Sequence, residues 1–305
     1  MKIGLITPPD TIGGASLTQL IDWAVQAEAD GFHSLWFVQV PVVGNDVLTS
    51  IAVVGQHTQK IELGTGVAPT HPRHPLIMAQ QALTVQAACG SRLQLGLGLS
   101  HKPVIEDMMG LSYQKPAQHM REYLSVIRPL INGEGVSFQG ECYKVQGSMH
   151  VADAAPCPIL VAALGPRMLK LAGEISDGTV TWMVGIKTIQ NHIVPRISDA
   201  AASVGKTPRV VASLPVVITD NAKQVRSHID SSLEMYGQLE SYKRMLDREG
   251  VETPSGVSLI GTQAEVKDQL AAFAEAGVTE FVASIPNYEQ SDYERTYEFL
   301  KASEF

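Results

Sequence analysis

The residues able to do chemistry in this chain are few, and they gather at the ends of apolar runs. The most informative stretch, ILVAALGPRMLKLAGEISDGTVTWM over Ile159–Met183, reads as buried strand, sharp turn, helix, buried strand. Gly165 closes the first strand, Pro166 fits the first helical position, where an N–H would have no intrahelical partner, and Arg167 follows. The free N–H groups of such a helix start, together with the positive end of its dipole, suit an anion. The turn therefore reads either as a phosphate clamp or as an ordinary strand-to-helix connection. The other run ends supply Thr7, Gln39, Thr65–Gly66–Val67, Ser100–His101–Lys102 and Trp182–Met183. That set holds no carboxylate pair, no metal cluster and no Ser/His/Asp constellation. His71 and His74 in THPRHP lack a third ligand, so a polar loop is expected there and a metal is not. A site without its own strong acid, base or metal fits an enzyme whose cofactor carries the hard step.

The elements that must position these residues alternate regularly. Strand-like runs occupy Ile3–Thr7, Ser34–Val38, Ile61–Val67, Leu93–Leu99, Ile159–Ala163, Thr179–Met183, Val210–Ile218 and Phe281–Ile285. Most are continuously apolar, as parallel strands covered on both faces must be. Between them lie amphipathic helices. Leu17, Leu20, Ile21, Ala24 and Ala27 share one face, and Ser16 with Gln19 forms a capping box before it. Met120, Tyr123, Leu124, Ile127 and Leu130 form a second stripe, opened by Pro116. Val266, Leu270 and Phe273 form a third, begun by Thr262 with Glu265 and stopped by Gly277.

Such alternation over 305 residues predicts a single α/β domain, residues 1–305, folded as a (β/α)8 TIM barrel. An open doubly wound sheet is the runner-up, but its usual first turn carries GxGxxG, and here that turn reads TPPDTIGG. The spacing breaks at 100–157, with a loop, a helix and a hairpin turning at Gly140, and at 219–261, with one long helical region and the run GVSLIG. Both read as insertions over a barrel end. In such barrels the chemistry sits at the C-terminal ends of the strands, which is where the residues above fall.

Composition narrows the function classes. The net charge of −8 and the lack of a long basic run argue against nucleic acid as partner. Cys89, Cys142 and Cys157 have neither a pairing pattern nor metal-ligand spacing. MKIGLITPPD is too short an apolar run for a signal peptide, and no stretch approaches the roughly 20 apolar residues of a membrane span. A soluble cytoplasmic protein acting on a small molecule is the expectation.

Four segments carry a family resemblance: LGTGVAPTHPRHPLIMAQQALTVQ, SRLQLGLGLSHKPVIEDMMG, VAALGPRMLKLAGEISDG and the closing LIGTQAEVKDQLAAFAEAGVTEFV. In this order they resemble the luciferase-like superfamily of flavin and deazaflavin oxidoreductases, over essentially the whole chain. LWFVQVP, PRHP, GLSHK and AALGPRML resemble its branch that uses coenzyme F-420, an 8-hydroxy-5-deazaflavin.

The resemblance implies a luciferase-like barrel, a homodimer, and F-420, with FMN as the alternative cofactor. It implies that the Gly66–Val67 peptide, next to Thr65, is cis and supports the middle of the cofactor ring. It also implies that the backbone of Ala163, Leu164 and Gly165 holds the cofactor phosphate. Arg167 then either adds a charge or is a solvated helix residue. Ser100 becomes a cofactor contact and Lys102 a solvent-facing side chain. Trp182 is either a wall of the substrate pocket or a core aromatic. His101 stands where related enzymes often carry a glutamate proposed as acid, and it either donates a proton or only hydrogen-bonds.

One departure bears on direction. Alcohol-oxidising members have a His at the end of the second strand, whereas this chain has Phe37, Val38, Gln39, Val40 and Pro41 there. An amide is no base, so hydride delivery to an activated C=C or C=N is favoured over alcohol oxidation. Gln39 either hydrogen-bonds the cofactor ring or satisfies local backbone. The alternatives are an FMN-dependent monooxygenase fed by a partner reductase and a flavin-binding protein without turnover.

Overall fold

The computed structural model describes residues 1–7, 15–39 and 44–303. The first-turn segment 8–14 and the pair Val40 and Pro41, both used in the sequence reading, lie outside the described residues. In chain order the strands are β1 Lys2–Ile6, β2 Ser34–Phe37, β3 Glu62–Thr65, β4 Ala68–Pro69, β5 Leu93–Gly98 and β6 Val136–Gln139. They continue as β7 Lys144–Gly147, β8 Ile159–Ala162, β9 Gly178–Trp182, β10 Arg209–Ile218, β11 Leu259–Gly261 and β12 Glu280–Ser284. β1, β2, β3, β5, β8, β9, β10 and β12 pair in parallel, each with the next, and β12 pairs back onto β1. The sheet is a closed eight-stranded barrel, so the open-sheet alternative falls.

Each strand has two jobs, which is why the runs are continuously apolar. Outward side chains such as Leu35, Leu63, Leu95, Ile159 and Phe281 join the large core beneath the helices. Inward ones, Trp36, Leu160, Val180, Val211 and Val282, fill the barrel itself. Trp36 is the bulkiest of these, and the lack of a side chain at Gly64 makes room for it: a Cβ there would run into the indole. A Cβ on Gly98 would likewise run into the side chain of Val67. Gly66–Val67 is a cis peptide, as the resemblance implied. The Gly66 N–H donates to the Phe37 carbonyl (2.7 Å), and pairing to β5 resumes at Ala68–Pro69.

The caps read from sequence form. Ser16 accepts from the Gln19 N–H while the Gln19 side chain accepts from the Ser16 N–H, opening the helix Leu17–Ala29. Thr262 and Glu265 do the same for the helix Gln263–Glu275. The hairpin around Gly140 is β6–β7, antiparallel. The long helical region expected within 219–261 is instead three helices, Ala222–Ser232, Glu234–Gln238 and Glu240–Glu249. Leu233 and Leu239 leave helical geometry between them (ψ 17° and 122°), which lets two tyrosines converge on one place. GVSLIG contributes β11, which extends the sheet beside the far end of β10.

The barrel's two ends differ chemically. At the strand starts, Arg209 donates to Glu280, to Gln94 Oε1 (2.7 Å) and to Glu62 Oε2 (2.7 Å). Glu280, fully buried, also accepts from the Ser34 hydroxyl and from Trp36 Nε1 (2.9 Å). Burial raises the Glu62 pKa, but the bond to His33 and the Arg209 charge outweigh it and hold the carboxyl at about 2. His33, Glu62 and Glu280 have metal-ligand types in reach of one another, yet both carboxylates are already ion-paired with the Arg209 guanidinium. A cavity of about 270 Å³ lies at this end, beside Met1, Ile3, Phe32 and His33. It is remote from the strand ends where barrel chemistry resides.

Candidate functional site

At the opposite end the side chains leave a floor and a rim. Ile6, Val67 and Ala162 are half-buried and pack on top of the barrel filling, forming an apolar floor. Two strands finish in residues with left-handed backbone, Ser100 (φ 59°) after β5 and Met183 (φ 58°) after β9. Non-glycine residues hold that conformation at some cost and are enriched at functional sites. Thr7 accepts from the Val38 N–H (3.4 Å), tying the ends of β1 and β2 together.

The expected site residues divide into those facing this space and those committed elsewhere. Thr65 is fully buried and its hydroxyl donates to the Gly96 carbonyl (2.7 Å), so its side chain holds two strands together. Gln39 Oε1 accepts from the Val47 N–H (3.2 Å) at the start of the helix Val47–Gly55, so its amide oxygen serves the local backbone. Lys102 is exposed and lies 3.6 Å from Glu106. His74 caps its own helix through Nδ1, which accepts from the Leu76 N–H (3.3 Å).

The turn after β8 keeps its N–H groups available. Gly165 is the N-cap of the helix Pro166–Ile175, no side chain caps it, and no acid sits in the first turn. The space a Gly165 side chain would occupy is open. Its backbone is extended (φ −83°, ψ 155°), so approach, not conformation, is what glycine provides here. Ala163 is buried, Leu164 half-buried and Arg167 exposed. His192 fixes the turn from behind: its Nε2 donates to the Leu164 carbonyl (2.8 Å). Burial lowers the His192 pKa, the bond to Leu164 raises it, and the charges of Arg248 and Arg196 lower it again. A locally positive field at an uncapped helix start, in an acidic protein, suits an anion.

Two aromatic groups invisible in the sequence flank the site. His101 lies 5.8 Å from the Tyr242 ring and 6.4 Å from Tyr236, and Trp182 lies 6.1 Å from Tyr236. Burial pushes the His101 pKa below the ordinary 6.5. The second group stacks His71 on His119 (4.1 Å, 4°) and on Tyr113 (5.1 Å), whose hydroxyl donates to the Ser100 carbonyl (3.2 Å). His119 bonds to the Thr70 hydroxyl (3.0 Å). Both groups join segments distant in sequence: His71, His101 and Trp182 stand out in the sequence, whereas Tyr113, His119, Tyr236 and Tyr242 do not.

His119 gives a pH prediction. Burial and the neighbouring His71 hold its pKa at about 4, against 6.5 for an ordinary histidine. Above 6.5 the ring is neutral folded or unfolded. Between 6.5 and about 4 only the unfolded chain takes the proton, so stability falls with pH across that window and levels off below it. The loss is expected to be roughly 3 kcal/mol. Urea midpoints measured from pH 7.5 to 4 should show a shallower slope for His119→Phe; an unchanged slope would remove His119 as the cause.

A family model described as luciferase-like monooxygenase matches residues 1–280. The chain belongs to that family. This luciferase-like protein is 32% identical to the 5,10-methylenetetrahydromethanopterin reductase of Methanolobus tindarius over 193 residues, 63% of this chain. The match spans 58% of the reductase's own length. It is 30% identical over 202 residues to the F-420-dependent glucose-6-phosphate dehydrogenase of Nakamurella multipartita, covering 62% of this chain and 59% of that protein. Among solved structures, the F-420-dependent tetrahydromethanopterin reductase of Methanopyrus kandleri superposes with a TM-score of 0.81 at 24% identity, covering 99% of this chain and 97% of that one. An FMN-bound 3,6-diketocamphane monooxygenase component of Pseudomonas putida gives 0.78 at 19% identity, covering 99% and 97%. These likenesses carry the fold. Among the described residues, no helix is long and apolar enough to cross a membrane.

Proposed function

We propose that this luciferase-like protein is a coenzyme F-420-dependent reductase acting on an activated C=C or C=N of a small organic acceptor. The observation that carries the reading is the open, uncapped turn at Leu164–Gly165 beside the apolar floor of Ile6, Val67 and Ala162. One end of the site suits a phosphate and the other a flat conjugated ring, so the residues present fit such a cofactor. Relatives named as F-420-dependent or as methylenetetrahydromethanopterin reductases support the deazaflavin over FMN.

When bound, the reduced deazaflavin would supply a hydride. The chain's own part is to bind, orient and handle the proton. The N–H groups of the Leu164–Gly165 turn hold the phosphate, and His192 keeps that turn in place through the Leu164 carbonyl. Val67 and Ala162 support the ring from below. His101, half-buried among tyrosines, is placed to give a proton from a ring nitrogen to the reduced acceptor. With Gln39 bound to the Val47 N–H, the second strand end offers no base for an alcohol, which supports the reductive direction.

The test is direct. Dissociation constants of the purified protein for F-420 and for FMN, measured separately, should favour F-420 by at least about tenfold, on the order of 1.4 kcal/mol. Tight FMN binding with no measurable F-420 binding would replace this reading with the FMN-dependent monooxygenase.

A further inference from the structure

The rings beside His101 belong to the second insertion and to the end of β9, and their arrangement is specific. Tyr236 stands nearly perpendicular to three neighbours: Trp182 (70°), Tyr242 (79°) and His101 (81°). Edge-to-face packing of this kind holds each ring in a fixed orientation, and a ring face left uncovered by its neighbours is a surface on which a flat guest can stack. Alternation along β9 puts Trp182 on the same side as Val180, which faces the barrel axis. The Trp182 indole nitrogen is buried and has no hydrogen-bond partner. An indole N–H can only donate, and a buried donor left unpaired carries the desolvation cost of a missing bond. Its counterpart inside the barrel, Trp36 Nε1, is satisfied twice, by Ser34 and Glu280. Trp23 Nε1, on the helix Leu17–Ala29, is likewise buried and unpaired among the described residues, so what sets Trp182 apart is its place at a strand end among three other rings.

We propose that the Trp182, Tyr236, Tyr242 and His101 rings clamp a planar, uncharged, unsaturated ring substrate whose carbonyl oxygen or ring nitrogen accepts the Trp182 N–H. The four rings carry no fixed charge of their own, so an ionised acceptor stacked among them would lose hydration without gaining a counter-ion from them. This assignment rests on the proposed reductase and narrows it: a C=C conjugated to a ring carbonyl is one form of activated C=C.

The probes are chromone, a planar ring enone; naphthalene, planar without an acceptor; benzoate, planar but charged; and cyclohexenone, an enone without an aromatic plane. Calorimetric titration of the F-420-loaded protein should show chromone binding tightest. Trp182→Phe should weaken chromone about three- to tenfold, the usual worth of one hydrogen bond, and leave naphthalene unchanged. Tyr236→Leu should weaken both. Circular dichroism of each variant confirms that it is folded. Chromone preference surviving in Trp182→Phe, cyclohexenone or benzoate binding as tightly as chromone, or displacement of chromone by F-420 would each overturn the assignment. If F-420 itself fails to bind, the cofactor reading falls separately, and the same titrations on the cofactor-free protein still decide the clamp.

Discussion

His101→Ala is expected to lower turnover by about 10²–10⁴-fold, the usual contribution of a positioned general acid, with F-420 affinity held within a few-fold. The ring stands three residues after β5 and faces Tyr236 and Tyr242. Its pKa is lowered by burial, which fixes the sign of the pH dependence. An acid must be protonated to act, so turnover supported by His101 is highest below that lowered pKa and falls as pH rises through it. The limb should therefore appear below pH 6.5, the ordinary histidine value. His101→Gln keeps a hydrogen-bonding group and loses the titration, so it should resemble the Ala variant and lose the limb. Steady-state rates from pH 5 to 8, with chromone as acceptor and reduced F-420 as donor, distinguish the cases. Near-normal turnover in the Gln variant would leave His101 a positional contact and make water the proton source.

The barrel was legible in the sequence because each strand is buried on both faces, so its signature is a continuous run and not a subtle alternation. The cis peptide was legible through motif resemblance, and the Gly165 turn and the caps at Ser16 and Thr262 through local chemistry alone. What stayed hidden depends on contacts between distant segments. Gly64 and Gly98 read only as strand glycines until Trp36 and Val67 are seen to fill the space above them. Tyr236 and Tyr242 sit in polar helices, and nothing local announces that breaks at Leu233 and Leu239 turn both toward His101. Gln39 was half-legible: its place at a strand end was visible, its bond to the Val47 N–H was not. Thr65 likewise marks the strand end but spends its hydroxyl on Gly96.

Arg209→Met is expected to destabilise the fold by about 3–5 kcal/mol, the cost of leaving a buried charge without its partner. Glu280 is fully buried and accepts from Ser34, Trp36 and Arg209, and among these partners Arg209 alone carries a positive charge. Methionine matches much of the arginine stem's volume, so packing loss is kept small and the missing charge dominates. Glu62 loses the same partner and keeps His33, so its carboxyl should titrate above the present value of about 2. A carboxylate with a depressed folded pKa stabilises above its unfolded value of 4.5 and loses that contribution as pH falls toward 2; in Arg209→Met the acid-induced loss should be smaller. Glu280→Gln in the Arg209→Met background removes the stranded charge and should restore a substantial part of the stability. Urea unfolding at pH 7 of the three proteins measures this. Equal stability of Arg209→Met and the parent would mean that the serine and indole donors alone solvate Glu280. An additive double variant would mean that the two side chains are not coupled, and the network at the strand starts would then be packing and not electrostatics.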